Sequence, residues 1–423
     1  MRIDRLKLTN YKGFASRSFK LNAQFNLFVG DNATGKTSIL DALVVAMDSW
    51  FIGMKVGERV GGIDTDDVRV NSHPFDDTVT FEKQFPAQVE ASGLVMGQSV
   101  TWSRELSRER GRTTTVQAKA LSTIASETDK KVRAGEEVDL PLVCSYGTER
   151  LWWESRHRKK KGDDSSRTRP SRFDGYKDCT TFEIQETALL EWIQAEISIS
   201  LQKKKDTNAL VVMKQALTDC VEDAKTIYYD PRVKDIVVVM SDGTPQMFRN
   251  LSDGQRIMLT MIGDLAKRAI TLNPHMGRDV LKRTVGIVTI DELDLHLHPR
   301  WQRRVIHDLK RTFPGIQFVA TTHSPQLIGE ALPEEIRVLA NWDVSEPTHS
   351  FGVDSSRILQ EVMLVSPRNV ETQKLLTDLA ERIDKEDLPA AKQLVGQIAA
   401  KLGENDPEVT GANSLINLLE STQ

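Results

Sequence analysis

A glycine-rich loop near the N-terminus constrains this chain more than any other feature of its sequence. The loop reads GDNATGKT over residues 30–37; it follows an apolar segment at 25–29 and opens a helical pattern that continues to about residue 50. Backbone N–H groups in such a loop, and at the start of the helix after it, surround phosphate groups. Because strand, loop and helix occur in the required order, the sequence predicts a phosphate-binding loop rather than a chance glycine-rich turn.

The type of each loop residue indicates what it binds. A lysine at position 36 can reach the β- and γ-phosphates of a nucleotide, and the hydroxyl of Thr37 can ligate Mg²⁺. We therefore expect ATP and Mg²⁺ as ligands. The residues expected to contact the nucleotide lie in the loop and in the first turn of the helix: Gly30, Asn32, Gly35, Lys36, Thr37 and Ser38.

Two acids end an apolar strand in the second half of the chain. Residues 285–290 are predicted to form a buried strand, and Asp291 and Glu292 follow it directly. The carboxyl ends of parallel strands meet at the edge of a sheet where nucleotides bind. We expect Asp291 to hold the Mg²⁺ shell and Glu292 to polarise the attacking water. The alternative is a solvated strand end.

Two further segments carry weaker signals by themselves. Ser252 precedes a helical pattern and has Gln255 three residues later, which is the spacing of a capping box. The positive end of that helix can bind a phosphate, although the segment can equally be a well-capped helix and nothing more. His323 lies in a TTHSP segment directly after a predicted strand at 316–321, where a lone histidine is more often structural.

Four motifs occur in the order that ABC-type ATPases use, namely the loop at 30–37, LSDGQR at 251–256, the acids at 291–292 and the TTHSP segment. They resemble that family, and the resemblance implies ATP sandwiched between two head-to-tail copies. Ser252 and Gly254 of one copy would complete the site of the other, and His323 would sense the γ-phosphate. The chain departs from the pattern with Asp253 in place of a glycine and His298 in place of an aspartate.

Several segments narrow the resemblance to the RecF- and OLD-like branch. LTNYKGF at 8–14 resembles the start of RecF-like ATPases, in which a basic residue, here Lys12, approaches the nucleotide. DELDLHLHPRW at 291–301 resembles PtuA-like ATPases, and segments at 145–150, 172–178 and 351–359 are similar to further parts of that group. Such ATPases accompany an HNH nuclease, PtuB, in Septu and some retron systems. The resemblance therefore implies a slow, regulatory ATPase that controls a partner nuclease in anti-phage defence.

Other interpretations remain open at the level of sequence. A RecF-like ATPase of repair or recombination would bind DNA directly, and a scaffold would bind ATP without hydrolysing it. The basic stretch at 156–172 is either a mobile solvated loop or a contact for DNA, retron RNA–DNA or an acidic partner. His296 and His298, together with the two acids, could also be read as a metal cluster.

The order of predicted elements indicates an α/β fold: an ABC-type ATPase head, built on a mixed or parallel sheet with flanking helices. We expect an N-terminal lobe at 1–60, an inserted α/β arm at 61–245, a C-terminal lobe at 246–345 and a helical extension at 346–423. Three cysteines are too few for a disulfide framework, and no apolar run is long enough for a membrane span. We expect a cytoplasmic protein that forms a homodimer or higher oligomer.

Overall fold

The computed structural model describes residues 1–56, 60–148, 170–180, 186–221 and 224–422. These residues divide into two compact units, Met1–Val353 and Asp354–Gln423. The predicted basic stretch at 156–172 lies outside the described residues, apart from its last three positions. Among the described residues, no helix is both long and apolar enough to cross a membrane.

The strands of the first unit, in chain order, are β1 (Arg2–Tyr11), β2 (Phe14–Lys20), β3 (Phe25–Gly30), β4 (Val70–Phe75), β5 (Thr78–Lys83), β6 (Ala87–Val95), β7 (Gln98–Leu106), β8 (Leu142–Tyr146), β9 (Ala224–Asp230), β10 (Asp235–Met240), β11 (Pro245–Met247), β12 (Gly286–Ile290), β13 (Ile316–Thr322), β14 (Ile336–Ala340) and β15 (Asp343–Ser345). Its α-helices are α1 (Lys36–Asp48), α2 (Lys119–Arg133), α3 (Glu186–Lys203), α4 (Asn208–Asp219), α5 (Asp253–Leu272), α6 (Val280–Arg283), α7 (Pro299–Thr312) and α8 (Pro325–Ile328).

A six-stranded sheet forms the centre of the first unit, in the order β15-β14-β3-β13-β12-β8. Its strands run parallel except β15, which pairs antiparallel with β14. Every residue of β12 and β13 is buried, as expected of parallel strands covered on both faces. The predicted mixed sheet with flanking helices is therefore confirmed.

A second sheet, ordered β2-β1-β6-β7, is antiparallel and lies beside the first. Gln317 of β13 joins the two sheets, because its buried side chain accepts from Ile3 N–H (2.8 Å) and donates to Ile3 O (2.7 Å). Strands β6 and β7 lie within residues 61–245, the predicted inserted arm, and so does β8 of the central sheet. Residues 61–245 therefore contribute strands to the central sheet and to this antiparallel sheet.

The remaining strands form smaller sheets. β9, β10 and β11 form a three-stranded antiparallel sheet, and β4 pairs only with β5 among the described strands.

Helix α5 begins at the predicted cap: Ser252 Oγ accepts from Gln255 N–H (3.4 Å), and Gln255 Oε1 accepts from Ser252 N–H (3.0 Å). The capping-box prediction is confirmed.

The second unit is helical, as predicted for the end of the chain. It contains α9 (Ser355–Arg357), α10 (Val370–Asp384), α11 (Leu388–Leu402) and α12 (Pro407–Thr422). Its core consists of aliphatic side chains spaced three, four or seven residues apart within each helix, which are the spacings of one helical face: Leu379, Ile383, Ala391, Val395, Ile398, Val409 and Ile416.

Candidate nucleotide-binding site

The predicted phosphate-binding loop connects the end of β3, at the centre of the sheet, to the start of α1. Gly35 precedes the helix with a left-handed backbone (φ 97°), which glycine adopts without the steric cost of a side chain. A Cβ at Gly35 would lie 2.7 Å from Trp342 Cζ3 and 2.9 Å from Phe14 Cζ. A Cβ at Gly30 would overlap the carbonyl oxygen of Leu339. Both glycines are therefore required by close packing around the loop.

Lys36 lies across the loop. Its ammonium donates to the carbonyl oxygens of Gly30 and Asp31, each at 2.7 Å, and the residue is only 7% exposed. Burial lowers the pKa of Lys36, and nearby carboxylates, Asp291 first among them, partly oppose that shift. A lysine ammonium has three N–H donors, so one donor remains beyond these two carbonyls to reach a phosphate oxygen.

Thr37 and Asp291 meet although 254 positions separate them in the sequence. The Thr37 hydroxyl donates to Asp291 Oδ2 at 3.2 Å, and the hydroxyl of Thr321 donates to Asp291 Oδ1 at 2.5 Å. A hydroxyl and a carboxylate are oxygen ligands of the kind that Mg²⁺ prefers when it also binds phosphates. The residues therefore fit the predicted Mg²⁺.

Glu292 has a left-handed backbone (φ 47°), which is uncommon for a residue other than glycine. Its N–H donates to the hydroxyl of Thr321 at 2.7 Å, so one threonine holds both acids. Backbone strain of this kind concentrates at functional sites. Glu292 thus lies in a strained turn and directly follows Asp291, whose carboxylate contacts Thr37.

His323 follows β13 and is half-buried. Asp294 holds this segment, because its Oδ1 accepts from the hydroxyl of Thr322 (2.5 Å) and from the N–H of His323 (3.4 Å). The segment that follows the two acids is therefore hydrogen-bonded to the segment that carries the histidine.

Ser252 and Gly254 lie at the start of α5. Ser252 is exposed, whereas Gly254 is buried against the backbone of His296. In the described part of the chain, neither residue hydrogen-bonds to the phosphate-binding loop. Arg256 of the same helix donates to Glu186 Oε2 at 2.9 Å, which ties the start of α5 to the start of α3.

Lys12 is anchored beside α1. Its ammonium forms an ion pair with Asp41, one helical turn after Thr37, and lies 3.6 Å from Asp67. Burial raises the pKa of Asp41, and the bond from Lys12 partly offsets this rise. The basic residue predicted to approach the nucleotide therefore lies beside α1, one helical turn beyond Thr37.

His296 and His298 are both exposed, and His298 caps α7 by accepting from Arg300 N–H at 3.3 Å. Within the described ranges, no group of three or more His, Cys, Asp or Glu side chains is placed to hold a metal ion. The alternative interpretation of these histidines as a metal cluster therefore finds no support in the described residues.

Comparison with known proteins identifies the family. Residues 25–329 match a family described as "AAA domain, putative AbiEii toxin, Type IV TA system". The chain belongs to this AAA-domain family. The matched range begins at β3 and extends beyond His323, so it includes the loop, the two acids and the start of α5.

Individual relatives agree with the resemblance seen in the sequence. The chain is 24% identical to the Retron Vc95 probable ATPase of Vibrio cholerae serotype O1 biovar El Tor, over 85% of this chain and 78% of the relative. It is 24% identical to the Retron Ec83 probable ATPase of Escherichia coli, over 96% and 85%. The Septu protein PtuA of Bacillus thuringiensis is 30% identical over 36% and 41%. The predicted resemblance to the retron and Septu ATPases is therefore confirmed.

One solved structure similar to the AAA protein is the SMC head domain from Thermotoga maritima. The two share 16% sequence identity with a TM-score of 0.44, over 82% of this chain and 98% of that domain.

Sequence reasoning did not identify four residues that shape the site. Thr321 and Asp294 lie inside recognised motifs, but only the structure shows that they hold the two acids and the histidine segment. Asp41 and Trp342 lie outside the motifs and contact Lys12 and the phosphate-binding loop, respectively. A polar residue one helical turn after Thr37 was the only sequence signal for Asp41.

Proposed function

We propose that this AAA protein is an ABC-type ATPase that converts ATP and water to ADP and phosphate. The contact between the Thr37 hydroxyl and the Asp291 carboxylate carries the proposal, because it joins the phosphate-binding loop to the acids at the end of β12. Together with Lys36, these groups supply the positioning and charge stabilisation on which phosphoryl transfer depends.

Each residue of the site has a proposed role. Lys36 binds the β- and γ-phosphates, while Gly30, Asn32, Gly35 and Ser38 contribute the loop and helix backbone around them. Thr37 and Asp291 hold Mg²⁺, which neutralises charge on the phosphates when bound. Glu292 orients the attacking water and accepts its proton. His323 contacts the γ-phosphate, and Lys12 contacts the nucleotide from the side of α1.

We propose that the site is completed by a second copy in a homodimer or higher oligomer. Helix α5 is 20 residues long, and its capped start carries the partial positive charge of aligned peptide dipoles. Ser252 is exposed there, two residues before the buried Gly254, and makes its hydrogen bonds to Gln255 rather than to the loop of its own chain. The start of α5 is thus available to the γ-phosphate of a nucleotide bound by a partner copy.

The names of the relatives support a role in anti-phage defence. We propose that slow ATP hydrolysis controls a separate partner, an HNH nuclease similar to PtuB, and that DNA or retron RNA–DNA is a further contact. The retron ATPases match most of this chain, whereas PtuA matches about a third of it. The RecF-like repair ATPase is the competing proposal.

The catalytic assignment is tested with Glu292→Gln, which retains size and polarity but cannot accept a proton. We expect ATP turnover to fall by about 100-fold or more, with ATP-dependent dimerisation retained. Lys36→Ala is the matched control and should lose both turnover and dimerisation. Turnover of Glu292→Gln equal to that of the wild type would show that the catalytic assignment is wrong.

The partner is tested by co-expressing the tagged chain with the product of the gene immediately downstream in its native locus. Purification with and without ATP should recover an HNH-type nuclease. Recovery of no partner, combined with tight and salt-sensitive DNA binding by the ATPase alone, would favour the RecF-like function.

A further inference from the structure

Trp342 occupies a strained position next to the phosphate-binding loop. It lies with Asn341 in the two-residue turn between β14 and β15, and both residues have left-handed backbones (φ 63° and 49°). Such turns favour Asn followed by Gly, because a side chain at the second position is strained. Backbone strain of this kind concentrates at functional sites.

The indole packs against two glycines that leave room for it. A Cβ at Gly13 would lie 2.0–2.2 Å from three atoms of the six-membered ring of Trp342, and a Cβ at Gly35 would lie 2.7 Å from its Cζ3 atom. Phe14 meets the indole edge to face, with ring centroids 5.0 Å apart and planes at 90°. Trp342 is nevertheless 37% exposed, so the fixed ring also presents surface to solvent.

The place of the indole matches the nucleoside end of the proposed ATP site. Lys36 takes the β- and γ-phosphates, so the α-phosphate and the nucleoside lie toward the first turn of α1. Lys12 is anchored one turn further along the same helix by its ion pair with Asp41. Gly13, which follows Lys12, packs against the indole of Trp342. Trp342 therefore lies next to the position at which the nucleoside would extend away from the phosphate-binding loop.

We propose that Trp342 is the platform on which the nucleobase of the bound nucleotide stacks. This inference rests on the proposed ATP site and adds the group that binds the base. An aromatic ring stacks on any base, since every base has a π-face. We therefore expect weak discrimination between ATP and GTP, with the phosphates providing most of the remaining affinity.

The test compares a ligand that has a base with one that lacks it. Dissociation constants are measured for a non-hydrolysable ATP analogue and for inorganic tripolyphosphate, both with Mg²⁺. We expect Trp342→Ala to weaken binding of the ATP analogue by about 5- to 100-fold, the range that base–aromatic stacking gives. Tripolyphosphate should bind equally well to both proteins. Trp342→Phe keeps an aromatic face and should retain most of the affinity for the ATP analogue.

Three outcomes would overturn the inference. Unchanged binding of the ATP analogue by Trp342→Ala would show that no stacking occurs. An equal loss for both ligands would assign Trp342 to support of the loop, and an equal gain would show that the indole covers the site. Failure of the wild-type protein to bind either ligand would instead contradict the proposed ATP site, so the two proposals fail in distinguishable ways.

Discussion

The backbone of His296 leaves no room for a side chain at Gly254. A Cβ at Gly254 would overlap the carbonyl oxygen of His296 and lie 3.0 Å from its carbonyl carbon. Gly254 belongs to the first turn of α5, and His296 lies in the segment between Glu292 and α7. The start of α5, which we propose to face the nucleotide of the partner copy, is thus packed within its own chain against the segment that follows Asp291 and Glu292.

Substitution Gly254→Ala should therefore destabilise the protein, although alanine is ordinarily the better helix former. We expect a loss of about 1–3 kcal/mol in the free energy of unfolding, because the colliding atoms belong to backbone. Gly396 is the matched control, since it is also helical but a Cβ there would meet no atom within 4 Å. Gly396→Ala should stabilise its helix by about 0.5–1 kcal/mol. Denaturant unfolding measures both, and equal effects would contradict the packing argument.

Thr321 should be required for turnover although it is not predicted to touch ATP. Thr321→Val preserves shape but removes the donor to Asp291 Oδ1 and the acceptor for Glu292 N–H. Misplacement of the two acids should lower kcat by about 10- to 100-fold. Thr321→Ser keeps the hydroxyl and should retain most of the activity. A steady-state ATPase assay in which the valine variant matches the serine variant would exclude this role.

The sequence predicted those parts of the protein whose signals are local. The loop at 30–37 and the strands β12 and β13 are identified by continuous patterns of apolar and glycine residues, and the capping box of α5 needs only a three-residue spacing. Thr37 and Asp291 were expected to lie close together, because both were assigned to Mg²⁺. The contacts Lys12–Asp41 and Trp342–Gly35 could not be predicted, because they join residues that only the folded chain brings together.

The pairing of strands shows the same limit. Residues 89–104 show the alternating pattern that is typical of β-strands, and they lie in β6 and β7, which form an antiparallel hairpin. Period-two alternation specifies which side chains share a face but carries no information about the neighbouring strand. The sequence therefore did not indicate that β6 pairs with β1, or that β8 forms the edge of the central sheet.

Asp294 should affect the catalytic rate more than nucleotide affinity. Asp294→Ala leaves the buried Thr322 hydroxyl and the His323 N–H without their acceptor, which loosens the segment carrying the histidine. We expect kcat to fall by about 10-fold or more while the dissociation constant of ATP changes less than about threefold. Asp294→Asn retains an acceptor oxygen and serves as control. A loss of affinity as large as the loss of kcat would argue against a positioning role.

The lowered pKa of Lys36 predicts how ATP affinity depends on pH. Burial disfavours the charged ammonium, so Lys36 loses its proton at a lower pH than an ordinary lysine. Bound phosphates favour the charged form and raise the pKa again, so binding takes up a proton once the pH approaches the lowered pKa. Affinity for Mg²⁺-ATP should therefore fall as the pH rises into the alkaline range, toward the lowered pKa of Lys36.

Titration calorimetry of Mg²⁺-ATP binding, repeated in buffers of different ionisation enthalpy, measures both the affinity and the proton uptake. Lys36→Arg is the matched control, because a guanidinium stays charged throughout this range. Its affinity should be weaker than that of the wild type, since a planar fork cannot reproduce the bonds that the ammonium makes to Gly30 and Asp31. The affinity of the Lys36→Arg variant for Mg²⁺-ATP should also be independent of pH. The same alkaline decline in both proteins would assign the titration to another group.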